Sequence, residues 1–513
     1  MNPALLSQIS EPARAEISRI YRGSQEENAR LKMQVKLLGE LLRLARIERF
    51  GAGSERLSDG QLALLETEPC VMPQEVASEA ALPEVEKEAK PVVGKPVRQS
   101  LPAELPRRER IIACAPAECR CRQCGEEKKL IGYEQSERLG VDPVVYFVEV
   151  TKREKRACAR CEELGVVTAP VPAAIIEKGL GTDALVADVI IKKFSDHLPL
   201  YRQAIQIARD GGVELSESTL CGWVMHVGGL LRLVNEAMRT DLLRGGYIQA
   251  DETTVPVQVR GSKSKGANHQ GYLWEYSRPN GPVTFEFRMG RERAGPQKFL
   301  EKYHGILQSD GYGAYDKIGG SGMRHAACMA HARRKFFDAL QVDPKDLHSA
   351  RVLKKMGELY EIERAAREAG LDAPARLAQR QEHSLPRIEE LKELIIEARM
   401  VALPKSALGK ACSYALNLWT RLVTYSAHGE VEIDNNWCEN AIRPVALGRK
   451  NWLHLGSEQA GPKMAAIAAV IETCKRHRID VRRYLSDVLP RLADWPAHRV
   501  AELTPLAWKA AQT

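Results

Sequence analysis

The chain has 513 residues, 44% hydrophobic and 28% charged, the proportions of a soluble globular protein long enough for several domains. Lysine and arginine number 75 against 67 acids, a formal net charge of +8, which favours a polyanionic partner without demanding one. No run approaches the roughly eighteen apolar residues of a membrane span, and MNPALLSQISEPARAEIS lacks a basic-then-apolar signal segment. These features argue against a membrane or secreted protein and for a cytoplasmic one. Among the twelve cysteines, those in C-x-x-C pairs therefore read as metal ligands, and the others as reduced thiols.

Residues 1–60 carry an N-terminal helix. Leu31, Val35, Leu38, Leu42 and Ala45 alternate by four and three, a short coiled-coil seam, and Asn28 falls one step earlier in the same register. The seam either joins chains, as a homodimer or higher oligomer, or packs the helix on its own chain. From 61 to 107 the sequence is rich in Pro, Glu, Ala and Val, lacks aromatics, and reads as a flexible linker.

Residues 108–172 hold two knuckles, Cys121 with Cys124 and Cys158 with Cys161. Four thiolates suit tetrahedral zinc, and a closed set leaves no room for substrate, so the ion is expected to be structural. PVVYFVEVTKREKRAC between the knuckles reads as an extended basic strand, giving a unit like a zinc ribbon. Cys114 or Cys119 can stand in for Cys121, and redox-active or simply buried cysteines are the alternative. Basic residues around the knuckles suit phosphate contacts or a solvated face equally.

In residues 173–242 a helix begins near Pro199, breaks at Asp210, Gly211 and Gly212, and restarts after Ser216 as N-cap. This outline fits a helix-turn-helix that offers Ser218 and Thr219 to DNA, and equally any helical hairpin. Residues 243–460 change texture: GYIQADETTVPVQV, GYLWEYSR, PVTFEFRMG and GILQSDGYGAY read as consecutive strands. A helical insertion is expected at 343–430, and two amphipathic helices with a basic junction at 461–513. The fold class is multidomain α+β.

Asp251 and Asp310 are each placed at the polar end of a strand, where two acids can share hard cations such as Mg²⁺ or Mn²⁺. Glu439 falls in the first turns of a helix capped by Asp434 or Asn435, with Arg443 and Lys450 on roughly its face and Pro444 as a threatened kink. Phosphodiester transfer needs an activated oxygen, charge neutralisation and a stabilised leaving oxygen, which two cations about 4 Å apart supply. Three carboxylates beside Arg443, Arg449 and Lys450 match that need, although any single acid is equally well a cap or surface group.

Taken in order, SERL (Ser54 to Leu57), the paired knuckles, LPLYRQ (Leu198 to Gln203), ADET (Ala250 to Thr253), SDGYGAY (Ser309 to Tyr315), CMAHARRKF (Cys328 to Phe336) and NNWCENAIRPVALGRKNWLHLGS (Asn435 to Ser457) closely resemble the transposases of the insertion sequence 66 family. The resemblance runs from about residue 25 to near 490. It implies an RNase H-like α/β core whose Asp-Asp-Glu triad is Asp251, Asp310 and Glu439, holding two Mg²⁺ or Mn²⁺. It further implies that the ribbon and helix-turn-helix bind terminal inverted repeats, that two small accessory proteins take part, and that the protein works at the bacterial nucleoid.

Cys328 and His331 resemble a Cys-x-x-His motif that follows the second acid in many such enzymes, with local packing or a His331 contact to DNA phosphate as readings. Arg333 and Arg334 are candidate backbone contacts, and Glu252 and Glu432 are rival acids ranked below the chosen three. The expected chemistry is hydrolytic cleavage at the element's ends, then attack of the freed 3′-hydroxyl on target DNA. A zinc-dependent DNA-binding regulator without catalysis, or a nuclease without strand joining, are the alternatives.

Overall fold

The computed structural model describes residues 174–259 and 268–512 apart from Lys178, the stretches 146–157 and 166–169, and helical positions between 19 and 39. Cys121, Cys124, Cys158 and Cys161, the substitutes Cys114 and Cys119, the linker 61–107, and Leu42 and Ala45 of the seam lie outside the described residues. The chain divides into two units, 80–148 and the remainder, and the larger carries the sheet and the helices named below. No helix among the described residues is long and apolar enough to cross a membrane.

Strands β1 (Lys155–Ala157) and β2 (Val166–Thr168) pair antiparallel on either side of the second knuckle in sequence. Residues 146–154 have no regular structure, so among the described residues the long basic strand expected there is reduced to three. Next come α1 (Asp183–Phe194), α2 (Leu200–Gly211) and α3 (Glu217–Leu243). Gly212 ends α2 in the left-handed region at φ +66°, where a side chain would be strained, and Ser216 Oγ accepts the Thr219 N–H at 3.1 Å to start α3. The turn is as the sequence predicts. Beyond its exposed first turn, α3 is a 27-residue core helix, because Leu220, Val224, Val227, Leu231, Val234, Met238 and Leu242 recur at three and four and are all buried.

The sheet comprises β3 (Tyr247–Val257), β4 (His269–Ser277), β5 (Val283–Arg288), β6 (Ile306–Ser309) and β7 (Arg324–Ala327), in the order β5-β4-β3-β6-β7. The first three run antiparallel, and β6 and β7 run parallel to β3. Helix α4 (Ala294–Phe299) links β5 to β6. Four of the strands match the β-branched and aromatic segments. RHAA, which forms β7, gave no strand signal because its first two residues are polar and it is short.

Alternation along β3 sends Ile248 and Ala250 to one face, where they meet Trp274, Tyr276, Leu307, Phe299 and Tyr315. Tyr247 points to the other face, into a core shared with α5 (Met329–Val342), α6 (Leu347–Glu368), α8 (Leu385–Val401) and α9 (Ala407–Asn417). Between α6 and α8 lies α7 (Ala373–Gln379), which runs into α8 through a π-type turn at Arg380–Ser384. Helices α6 to α9 fall within the insertion expected at 343–430, and α5 precedes it. The chain then returns through α10 (Asn436–Trp452), α11 (Ala460–Arg476) and α12 (Val481–Leu492). Helix α10 passes through Pro444 unbroken.

Candidate active site

The floor of the site is the polar face of β3 and β6. Gln249 and Gln308 stand opposite one another in register, both fully buried, and Gln249 Nε2 donates to Gln308 Oε1 at 3.0 Å. Tyr247 Oη donates to the same Gln308 oxygen. The two amides also hold the segment leading into α10. Gln249 Nε2 donates to Asp434 O at 2.8 Å, Gln308 Nε2 to Glu432 O at 2.8 Å, and the Cys438 N–H to Gln249 Oε1 at 3.2 Å. Buried amides left unmade would each be destabilising, so the network fixes where α10 begins.

Two residues beyond each glutamine come Asp251 and Asp310. The period of two puts both on the face occupied by α10, at the end where parallel pairing between β3 and β6 stops. Asp251 is not at the end of its strand as the sequence suggested. It is the fifth of eleven residues in β3, and what ends there is only its pairing with β6. Asp251 Oδ1 accepts the Glu252 N–H and Asp310 Oδ1 the Tyr312 N–H, both at 2.8 Å. Glu439 occupies the first turn of α10. Asn435 is at the cap position but makes no side-chain cap bond; the Asp434 carboxylate instead accepts the Asn436 N–H at 3.2 Å.

The three acids act on one another. Burial, then the charges of Glu439, Glu252 and Asp310, push the Asp251 carboxyl well above the usual carboxylate range. Burial, then Asp434 and Asp310, push Glu439 up to about 7. A set of hard oxygen donors whose charges oppose each other in a half-buried site fits divalent cations, which would reverse both effects. His331 lies against Glu439, Nδ1 to Oε1 at 3.6 Å. Burial lowers its imidazole, with Asp310 pulling the other way.

The rival acids are separated by geometry. Glu252 points to the opposite face, where Arg291 Nε donates to it at 2.8 Å and Tyr315 Oη at 3.1 Å. Glu432 is buried and takes Arg376 Nη1 at 2.9 Å. Sequence reading missed Glu275, which is paired with Asp251 across β3 and β4, fully buried, and bonded by the Cys438 thiol. Its alternation with Trp274 and Tyr276 was the available signal. Burial pushes Glu275 up to about 7 although Arg476 stands 4.0 Å away.

Between pH 4.5 and 7 the unfolded chain therefore releases a proton that folded Glu275 keeps, and stability falls as pH rises through that window. Glu275→Gln should remove this slope, up to about 3 kcal/mol. Urea midpoints at pH 5 and pH 8 check it: a variant as pH-sensitive as the parent would show that the carboxyl is not held neutral.

Among the proposed DNA contacts, Lys450 and Arg334 are exposed, the latter paired with Asp338 at 3.1 Å, and Arg443 is half-buried. Arg333 is 9% exposed. Arg449 is committed to β3, donating to Thr254 O and, at 2.8 Å, to Thr254 Oγ1. Ser218 and Thr219 lie at the solvent-facing start of α3, each hydroxyl bonded to Ser216 Oγ.

The Transposase IS66 family model matches residues 178–463, more than half of the chain. The chain belongs to that family. The IS66 C-terminal element matches 469–506, and the model described as Transposase C of IS166 homeodomain matches 37–110. Two relatives of this IS66-family chain come from Sinorhizobium fredii (strain NBRC 101917 / NGR234). "Uncharacterized protein y4qI" is 35% identical, spanning 97% of this chain and 93% of its own length. "Uncharacterized protein y4hP" is 32% identical over 94% and 89% respectively. The family carries a transposase role, with DNA as partner.

Proposed function

We propose that the chain cuts and rejoins DNA phosphodiesters at the ends of its element, using Asp251, Asp310 and Glu439 on an RNase H-like core. One observation carries this reading: acids from β3, from the end of β6 and from α10, far apart in sequence, come within reach of each other's charge on one face of the sheet. The sheet order, three antiparallel strands followed by two parallel to the central one, supports the RNase H-like assignment. Two Mg²⁺ or Mn²⁺ ions held by the three carboxylates would activate the attacking oxygen and relieve charge on the leaving one.

The protein's own part is positioning. Gln249 and Gln308 hold the entry to α10, and Arg449 ties that helix to β3, so Glu439 is delivered to the two aspartates. Exposed Lys450 and Arg334, with Arg443, His331, Ser218 and Thr219, are the side chains we assign to DNA. Cys121, Cys124, Cys158 and Cys161 are assigned to structural zinc in a ribbon that, with α2 and α3, binds terminal repeats. Leu31, Val35 and Leu38 are exposed on the N-terminal helix, which supports self-association through that seam.

Purified chain incubated with Mg²⁺ and DNA carrying the element's terminal repeat should give nicks at the repeat ends and then joined products. Binding without cutting would favour the regulator, and cutting without joining the nuclease. Mg²⁺-independent cutting would remove the cations from the account.

A further inference from the structure

Beside the three-acid site stand Cys328, which plays no part in it, and His331, assigned above to DNA. Cys328 follows β7 directly and occupies the N-cap position of α5; its own N–H donates to Ser309 O at 3.0 Å, and the next N–H, of Met329, to Ile433 O at 3.1 Å. These bonds lock the start of α5 between the end of β6, which delivers Asp310, and the segment that delivers Glu439. His331 is in the first turn of α5 and Glu439 in the first turn of α10, so two helix N-termini converge on one point.

There, one ligand atom each from Cys328, His331 and Glu439 lies within 4.8 Å of the other two. The thiol sulfur accepts the Asn435 N–H at 3.4 Å, and a negative sulfur at that place also faces the positive end of α5. His331 Nδ1 and Glu439 Oε1 are both buried atoms with no hydrogen-bond partner, although only 3.6 Å separates them. A histidine and a carboxylate that bond directly close to about 2.8 Å. Two ligands of one tetrahedral zinc, at about 2.0–2.2 Å from the ion, stand about 3.4 Å apart. The observed spacing is that of two donors aimed at a common centre.

We propose that Cys328, His331 and Glu439 form a binding position for a thiophilic divalent cation of the zinc class, next to the three-acid site and sharing one carboxylate with it. Sulfur and imidazole select zinc over the hard ions that Asp251 and Asp310 prefer. Three protein ligands leave the fourth place open to water or a phosphate oxygen. Binding releases the Cys328 thiol proton to solvent. The position itself rests on the local geometry; its consequence, that zinc draws Glu439 away from the hard-ion pair and so inhibits, rests on the function proposed above.

Cobalt(II), a coloured substitute for zinc, reads the position in the full-length protein. Titrated with cobalt after its metal has been removed with a chelator, the chain should take up one equivalent more than a chain lacking the position, and the difference spectrum should show tetrahedral bands with a single-thiolate charge-transfer band. His331→Ala and Cys328→Ser, checked by circular dichroism, should each lose that equivalent. Ions at the knuckle cysteines are common to all samples and cancel in the difference.

If Cys328→Ser does not fold, the half-exposed His331→Ala decides alone. Uptake of the same number of ions by the parent and His331→Ala overturns the proposal, as does a parent-minus-variant difference spectrum without thiolate ligation. Where Mg²⁺-driven nicking is seen, added zinc should slow it, and His331→Ala should raise the zinc required about tenfold or more. Failure of nicking in every sample bears on the active-site reading alone, since the cobalt result does not depend on it.

Discussion

An Asp251→Asn chain is expected to bind terminal-repeat DNA as the parent does and to lose Mg²⁺-dependent nicking by about three orders of magnitude or more. The size follows from the role: losing about 4 kcal/mol of transition-state stabilisation is a thousandfold in rate. The substitution keeps the shape and removes only the charge. Because burial and the neighbouring acids already hold the Asp251 carboxyl high, an uncharged amide relieves repulsion, and the metal-free variant should melt no lower than the parent.

That pairing of effects separates a catalytic carboxylate from a structural one. Glu252 provides the internal control. It faces the other side of the sheet and holds Arg291 and Tyr315, so Glu252→Gln should lower stability and leave most of the nicking rate. Single-turnover nicking, a mobility-shift titration and thermal melts on the three chains are sufficient. Near-parental nicking by Asp251→Asn would eliminate it from the mechanism, whatever happened to stability.

What the sequence disclosed and what it hid divide along physical lines. Local signals were legible. Ser216 and Gly212 fix the turn between α2 and α3 through backbone demands that neighbouring residues alone can satisfy, and the β-branched runs mark β3 to β6. Facing was harder, because it depends on pairing. Asp251 and Glu252 are adjacent and equally acidic, and only the registry of β3 with β4 and β6 sends one to α10 and the other to Trp274 and Tyr315.

Long-range partners were not legible at all. Gln249 and Gln308 look like ordinary polar strand residues until each is seen to bind the backbone of a segment more than a hundred positions later. Arg449, read as a DNA contact from its place near Glu439, has a guanidinium taken up by Thr254. Charge in a sequence says nothing of whether it is already spent inside the fold.

The same blindness hid a coupling between the insertion and the site. Arg380, in the π-type turn, is 1% exposed and makes four bonds: Nε to Glu363 Oε1 at 2.7 Å, Nη2 to Glu363 Oε2 at 2.6 Å, and Nη1 to Tyr425 O at 2.8 Å and His428 O at 2.7 Å. Arg376 continues the chain, donating to Glu363 Oε2 at 2.9 Å and to Glu432 Oε2 at 3.1 Å. Glu432 is the residue whose carbonyl Gln308 holds. Burial alone would raise the Glu363 carboxyl, but the two arginines hold it below its ordinary value.

Arg380→Ala should therefore destabilise the protein by about 3–5 kcal/mol, since the buried Glu363 carboxylate keeps only its bond from Arg376 and the Tyr425 and His428 carbonyls keep only their backbone donors. Limited proteolysis should then open α6 to α8 first. Replacing both partners, as Arg380→Met with Glu363→Leu, should recover much of the loss, because no charge is then stranded. The recovered protein should still nick more slowly than the parent, since Arg376 keeps only Glu432 and the entry to α10 is less firmly set. Full nicking by the double variant would mean that the insertion holds the fold together without positioning Glu439, and that Gln249 and Gln308 suffice for that.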